Sequence, residues 1–203
     1  MIWVGLQPGE PELVPTPSGS FSVSAPTSVP TAGPGSSVTV DGTVVSPATM
    51  GACRVLIPSL GVYARYEDRG FSGGEFDLPG DPYTLARNKG GGAVAGDAGT
   101  VLVSGHVTWS GSHGSMYSLA TIAPNAVVYV SSCGGPQIVT TWVVTSMESV
   151  RKSELPQWLF ASSGPRRGAL VTCGGTPTLV HDGGRQYFVY PDNTIVGLAQ
   201  VRP

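Results

Sequence analysis

Charge is scarce in this sequence. Of 203 residues only 12% are charged, 11 basic against 13 acidic, for a formal net charge of −2. So even a balance builds no strong positive field, and nucleic acid is not an expected partner. Long apolar runs are missing too, since no stretch approaches the roughly 18 residues of a membrane-crossing helix. Met1-Ile2-Trp3-Val4-Gly5-Leu6 is apolar but short, with no basic segment before it. It reads either as the stump of a membrane tether lying outside this sequence or as an ordinary loop start. Cysteine is limited to Cys53, Cys133 and Cys173, with no C-x-x-C and no histidine at zinc-ligand spacing. An odd number leaves at least one free thiol in a monomer. No acidic cluster has calcium-loop spacing, so neither a metal nor another cofactor is expected.

What the chain has in excess is glycine and proline. The 29 glycines and 18 prolines make about 23% of it, against roughly 12% in average usage. That excludes a coiled coil, a helical bundle or a long amphipathic helix. Disorder throughout is disfavoured by a hydrophobic fraction of 40% that can bury a core. One β-rich domain with irregular segments fits best.

Part of the excess is local. Residues 1–52 hold 8 prolines and 7 glycines, and no lysine or arginine precedes Arg54. Stretches such as Pro15-Thr16-Pro17-Ser18-Gly19-Ser20 cannot bury enough apolar surface to offset chain entropy. We read 1–52 as an N-terminal spacer, within which the Val-rich piece Val38 to Val45 can pack as an added strand. Residues 53–203 carry a different texture of short Val/Ile/Leu/Tyr runs between turn residues. Strands are predicted at Val55 to Pro58, Gly61 to Arg65, Thr100 to Ser104, Ala126 to Val130, Ile138 to Thr145, Ala169 to Thr172, Gln186 to Tyr190 and Thr194 to Val201. A small helix is predicted over Met116 to Ala120 and a helical turn over Pro156 to Ala161. Residues 68–99 read as Gly-, Asp- and Pro-rich connection, punctuated at Leu78-Pro79-Gly80-Asp81-Pro82. Many short strands and little helix describe a mainly all-β barrel or sandwich.

Two of these strands end in reactive residues followed by glycine: Val103-Ser104-Gly105-His106 and Leu170-Val171-Thr172-Cys173-Gly174-Gly175. A strand end fixes the Cα on a rigid sheet while the loop opens access to it. A thiol becomes a useful nucleophile near neutral pH only beside a base or a positive charge, and histidine is the usual base. Arg185 lies twelve residues after Cys173, at the start of a strand able to return alongside the cysteine strand. There a guanidinium can favour the thiolate or stabilise a tetrahedral oxyanion. The alternative roles are a buried structural thiol, a surface histidine and a solvated arginine. His113 and His181 read as loop and surface residues. Arg151, Lys152, Arg166 and Arg167 precede the cysteine strand and supply either substrate contacts or solubility.

The ordered set of motifs resembles the sortases, the cysteine transpeptidases of Gram-positive surfaces. Val55-Leu56-Ile57-Pro58-Ser59-Leu60-Gly61-Val62 looks like the family's hydrophobic-Ile-Pro-x-hydrophobic-Gly-Val opening. Gly99 to His106 is similar to the approach to the family's catalytic histidine, and Met116-Tyr117-Ser118-Leu119 follows at a familiar distance. Leu170-Val171-Thr172-Cys173 looks like its Thr-Leu-x-Thr-Cys strand, with Ala169 for the first threonine. Tyr190-Pro191-Asp192-Asn193-Thr194-Ile195-Val196 resembles the ending of several actinobacterial classes, and the texture leans towards class F or class E.

The resemblance implies a closed barrel of about eight strands with a few short helices, and His106, Cys173 and Arg185 at one end. Cys173 would attack the Thr–Gly carbonyl of an LPXTG-like or LAXTG-like sorting signal. His106 would serve as acid and base, and Arg185 would hold the oxyanion and the substrate backbone. The acceptor would be a cell-wall precursor or pilin amine, on the outer face of a Gram-positive membrane. Ser104 and Thr172 flank the pair and are candidate substrate contacts. Cys53 and Cys133 are a candidate disulfide in such a compartment. A Cys–His hydrolase and a non-catalytic extracellular β-barrel binding module are the alternatives.

Overall fold

The computed structural model describes residues 15, 19–25, 36–109, 112–182 and 185–201, and for residues 182 and 185–187 the backbone only. Eight strands close on themselves: β1 (Arg54–Ile57), β2 (Val62–Arg69), β3 (Leu85–Asn88), β4 (Thr100–Ser104), β5 (Val127–Ser131), β6 (Val139–Arg151), β7 (Arg167–Gly174) and β8 (Asp192–Val201). Around the barrel the order is β1-β2-β3-β4-β7-β8-β6-β5, returning to β1. The β2–β3 and β4–β7 pairs are parallel. Closure rests on β8, which pairs with β7 on one edge and β6 on the other. This is the closed, mainly β barrel that the sequence predicts.

Alternation along each strand sorts the side chains. Val55, Tyr66, Leu85, Val101, Val103, Val130, Trp142, Leu170 and Val196 fill the interior. The outer face of β4, β7 and β8 is also apolar: Leu102, Ala169, Val171 and Ile195 are buried there under Phe76 and Leu159. Leu159 comes from the 3-10 turn Gln157–Phe160. Strands covered on both faces read as continuous apolar runs, which is why Thr100 to Ser104 and Ala169 to Thr172 are legible in the sequence.

β3 falls within the stretch read as connection. Leu85-Ala86-Arg87-Asn88 has no β-branched residue, yet Leu85 and Ala86 are fully buried between β2 and β4, so tertiary packing overrides propensity. In place of the helix predicted at Met116 to Ala120 stands a 3-10 turn at Leu119–Thr121, a segment too short to nucleate an α-helix.

Part of the segment read as spacer packs on the barrel. Val38–Val40 and Thr43–Val45 form a hairpin whose turn, Asp41-Gly42, has positive φ at both residues, the geometry that Asp-Gly favours. Val38, Val45 and Met50 bury Leu56 and Tyr129 on the barrel's outside. Phe21–Ser22 adds a short rung to β6 at Met147 and Ser146. Cys53 and Cys133 form a disulfide, with their Cα atoms 4.7 Å apart, that ties the start of β1 to the turn after β5. Cys173 remains the free cysteine.

Candidate active site

The site begins with the parallel pairing of β4 and β7. Val103 lies opposite Leu170 and Ser104 opposite Val171, so the parallel pairing ends two residues short of His106 and Cys173, while β7 continues to Gly174 against β8. Hydrogen bonds hold that end in line. The Gly105 N–H donates to the Val171 carbonyl at 3.3 Å, and the Ser104 hydroxyl donates to the same carbonyl at 2.7 Å. The Thr172 hydroxyl donates to the Gly105 carbonyl at 2.8 Å. Ser104 and Thr172 are both buried, and their hydroxyls clamp strand to strand. Val107, Cys173 and Tyr190 pack as one small buried cluster with Tyr117 against it. By alternation Ala169, Val171 and Cys173 share the barrel's outer face.

His106 is 6% exposed. Its Nε2 lies 2.8 Å from the Pro79 carbonyl oxygen, and its ring tilts against Trp109 with centroids 4.5 Å apart. A carbonyl can only accept, so Nε2 carries the proton and Nδ1 is the acceptor of the neutral ring. Burial lowers the His106 pKa, and the Pro79 carbonyl and the Asp81 charge oppose this only in part. Asp81 accepts the backbone N–H groups of Tyr83 at 2.9 Å and Thr84 at 2.8 Å. Burial acts to raise the Asp81 pKa, but these bonds and nearby His106 outweigh it and hold the carboxyl below its usual range. Pro79, Asp81 and Trp109 were not singled out in the sequence. Leu78-Pro79-Gly80-Asp81-Pro82 reads there as punctuation, and only the fold sets it against His106.

Cys173 is 7% exposed. The strand beside it is β8, with Asn193 opposite Cys173 and Asp192 opposite Gly174. This corrects the expectation that the Arg185 strand returns alongside the cysteine strand. Arg185–Val189 pairs instead with Thr178–Asp182 in a separate hairpin, with Arg185 opposite Asp182 at the turn. Pro191, which has no N–H to donate, separates that hairpin from β8. The Arg185 side chain lies outside the described residues.

The other candidates have settled places. His113 stacks on Tyr117 with centroids 3.6 Å apart and lines a cleft of about 530 Å³ with Tyr83, Thr84, Arg54 and Arg65. His181 is exposed on the hairpin and Arg151 is exposed at the end of β6, whereas Lys152 is buried. Arg166 bonds the carbonyls of Ala93 and Val94 and lies over the Trp142 ring. Arg167 lies over the Trp158 ring.

No protein-family model and no curated protein matches the chain. Solved structures do. Sortase C1 from Streptococcus suis is 14% identical, with a TM-score of 0.55, over 75% of this chain and 73% of that one. Sortase C1 from Streptococcus agalactiae is 18% identical, with a TM-score of 0.53, over 74% and 67%. Sortase A from Corynebacterium diphtheriae is 12% identical, with a TM-score of 0.51, over 74% and 60%. The barrel has the sortase fold. At these identities the likeness speaks for architecture alone.

Proposed function

We propose that this chain is a sortase-type cysteine transpeptidase. The observation that carries the reading is the β4–β7 register, which brings His106 and Cys173 to one end of the barrel's outer face. In the proposed reaction the Cys173 thiol passes its proton to Nδ1 of His106 as its sulfur adds to the Thr–Gly carbonyl of an LPXTG-like or LAXTG-like signal. The tetrahedral adduct collapses to a thioacyl enzyme, and the departing amine takes a proton from His106. An incoming amine, from a cell-wall precursor or a pilin lysine, gives its proton to His106 and displaces the thiolate. Arg185, at the hairpin turn, is assigned to the substrate backbone and its oxyanion. The cleft along Tyr83, His113 and Tyr117 is assigned to one of the two peptides.

The Cys53–Cys133 disulfide supports an oxidising compartment and hence the outer face of a Gram-positive membrane. The Tyr190-Pro191-Asp192-Asn193 ending supports class F or class E. An internally quenched LPXTG peptide tests the reading. The wild type turns it over, Cys173→Ala does not, and His106→Ala loses about 10²–10⁴-fold. Added triglycine converts hydrolysis product into transpeptidation product; hydrolysis alone would point to a peptidase instead.

A further inference from the structure

Among the described residues, Asn193 is the one whose buried side-chain polar atoms lack a hydrogen-bond partner. Both Oδ1 and Nδ2 are closed off from solvent and neither is bonded. Leaving an amide in that state costs its desolvation with nothing returned. A β-branched residue would suit the position at least as well for stability, because Asn193 pairs with Val150 on one side and precedes Ile195 on the same face.

The ladder places Asn193 directly across from Cys173. Paired residues of an antiparallel ladder project to the same face with Cβ atoms about 4.5–5.5 Å apart. That separation puts an asparagine amide within reach of an atom bonded to the cysteine sulfur. When Sγ adds to a carbonyl, the S–C bond forms and the π pair moves onto oxygen, and collapse regenerates the carbonyl and expels the leaving group. A donor with no partner in the resting enzyme and a good one only while that oxygen is charged stabilises the transition state selectively.

We propose that Asn193 is the sheet-borne oxyanion donor of this site, its Nδ2–H groups donating to the acyl oxygen as Cys173 adds. The inference rests on Cys173 being the nucleophile and is independent of which acyl donor is natural. Arg185 sits at a hairpin turn, whereas Asn193 is fixed in the ladder that carries the thiol.

The test compares two reagents on the full chain without reductant, where Cys173 is the free thiol. p-Nitrophenyl acetate acylates it through a tetrahedral oxyanion; iodoacetamide alkylates it by displacement with no oxyanion. Asn193→Ala is expected to slow acylation by about 10²-fold, leave alkylation within about twofold, and melt no lower than the wild type. Asn193→Val, suited to the strand, serves as the second variant and is expected to show the same split. Unchanged acylation overturns the proposal, as does an equal fall in both rates, which would place Asn193 in thiol activation or in the fold. A wild type that alkylates but does not acylate overturns it too. If the ester-to-iodoacetamide ratio behaves as expected but no sorting peptide is turned over, the transpeptidase reading fails and Asn193 keeps its role.

Discussion

The carbonyl oxygen of Pro79 accepts the Nε2–H of His106 at 2.8 Å, so a main-chain atom from the β2–β3 connection orients the imidazole. That connection is tied down in turn. Asp81 gathers the Tyr83 and Thr84 N–H groups, and Ser115, just beyond His106, bonds the carbonyls of Pro82 and Tyr83. The loop and the histidine therefore form one hydrogen-bonded unit just past the end of β4.

Asp81→Asn keeps an acceptor for both N–H groups and removes only the charge. Because that charge raises the His106 pKa, the His106 midpoint is expected to fall further in the variant. Histidine NMR titration reads it directly. A midpoint that stays or rises would remove Asp81 from the electrostatics of the site.

Stability should depend on pH through the same histidine. Its folded pKa is depressed from the ordinary value of 6.5, so above that value it is neutral in both states and its contribution is fully present. As pH falls through 6.5 towards the folded pKa, the unfolded chain takes up the proton first and stability is lost. Urea midpoints measured from pH 7.5 down to 5 should decline, and His106→Gln should flatten that part of the decline. Parallel slopes in the two proteins would refute the assignment.

Gly114 packs on the His106 main chain. A Cβ there would collide with the His106 carbonyl, where Gly114 N–H bonds Val107 and Met116 N–H bonds His106. Gly114→Ala should cost about 1–3 kcal/mol through overpacking, a fall of roughly 2–12 °C in melting temperature. Its rate of Cys173 acylation should fall at least as far as the stability loss accounts for. Gly80→Ala, where no atom lies within 4 Å of the added carbon, is the control and should be near neutral. Equal effects at the two positions would show that the contact is unimportant.

The disulfide closes a sequence separation of 80 residues, and removing it should cost roughly 2–4 kcal/mol. Cys53→Ser with Cys133→Ser should then melt about 5–15 °C lower. Unreduced wild type should take up one alkyl group by mass spectrometry and reduced, unfolded protein three. Three without reductant would mean that the bridge does not form in solution.

Much of this was readable along the chain. β4 and β7 stand out because both of their faces are buried, leaving unbroken apolar runs, and each run ends in a glycine-flanked reactive residue. Val38 to Val45, read as one added strand, is instead a hairpin turned at Asp41-Gly42, where both residues have positive φ. Less visible were β3, made of residues with little strand preference, and the packing of Val38, Val45 and Met50 over Leu56 and Tyr129. The Arg185 strand does not run beside the cysteine strand, for a topological reason: Thr178–Asp182 pairs with Arg185–Val189, and the strand next to the cysteine starts only after Pro191.

By itself the sequence determined a chain of short strands suited to a barrel or sandwich and at least one free thiol, while the closed barrel and the pairing of His106 with Cys173 were what the resemblance to the sortases implied. The strands and the odd thiol follow from periodicity, turn chemistry and counting, which are local properties. Only the tertiary structure decided what stands around the pair. The Pro79 carbonyl on Nε2 and Asp81 behind it come from the β2–β3 connection, and the unpartnered Asn193 across from Cys173 comes from β8. Their meeting depends on sheet order and register, which no local pattern encodes, because those are set by how the whole barrel closes.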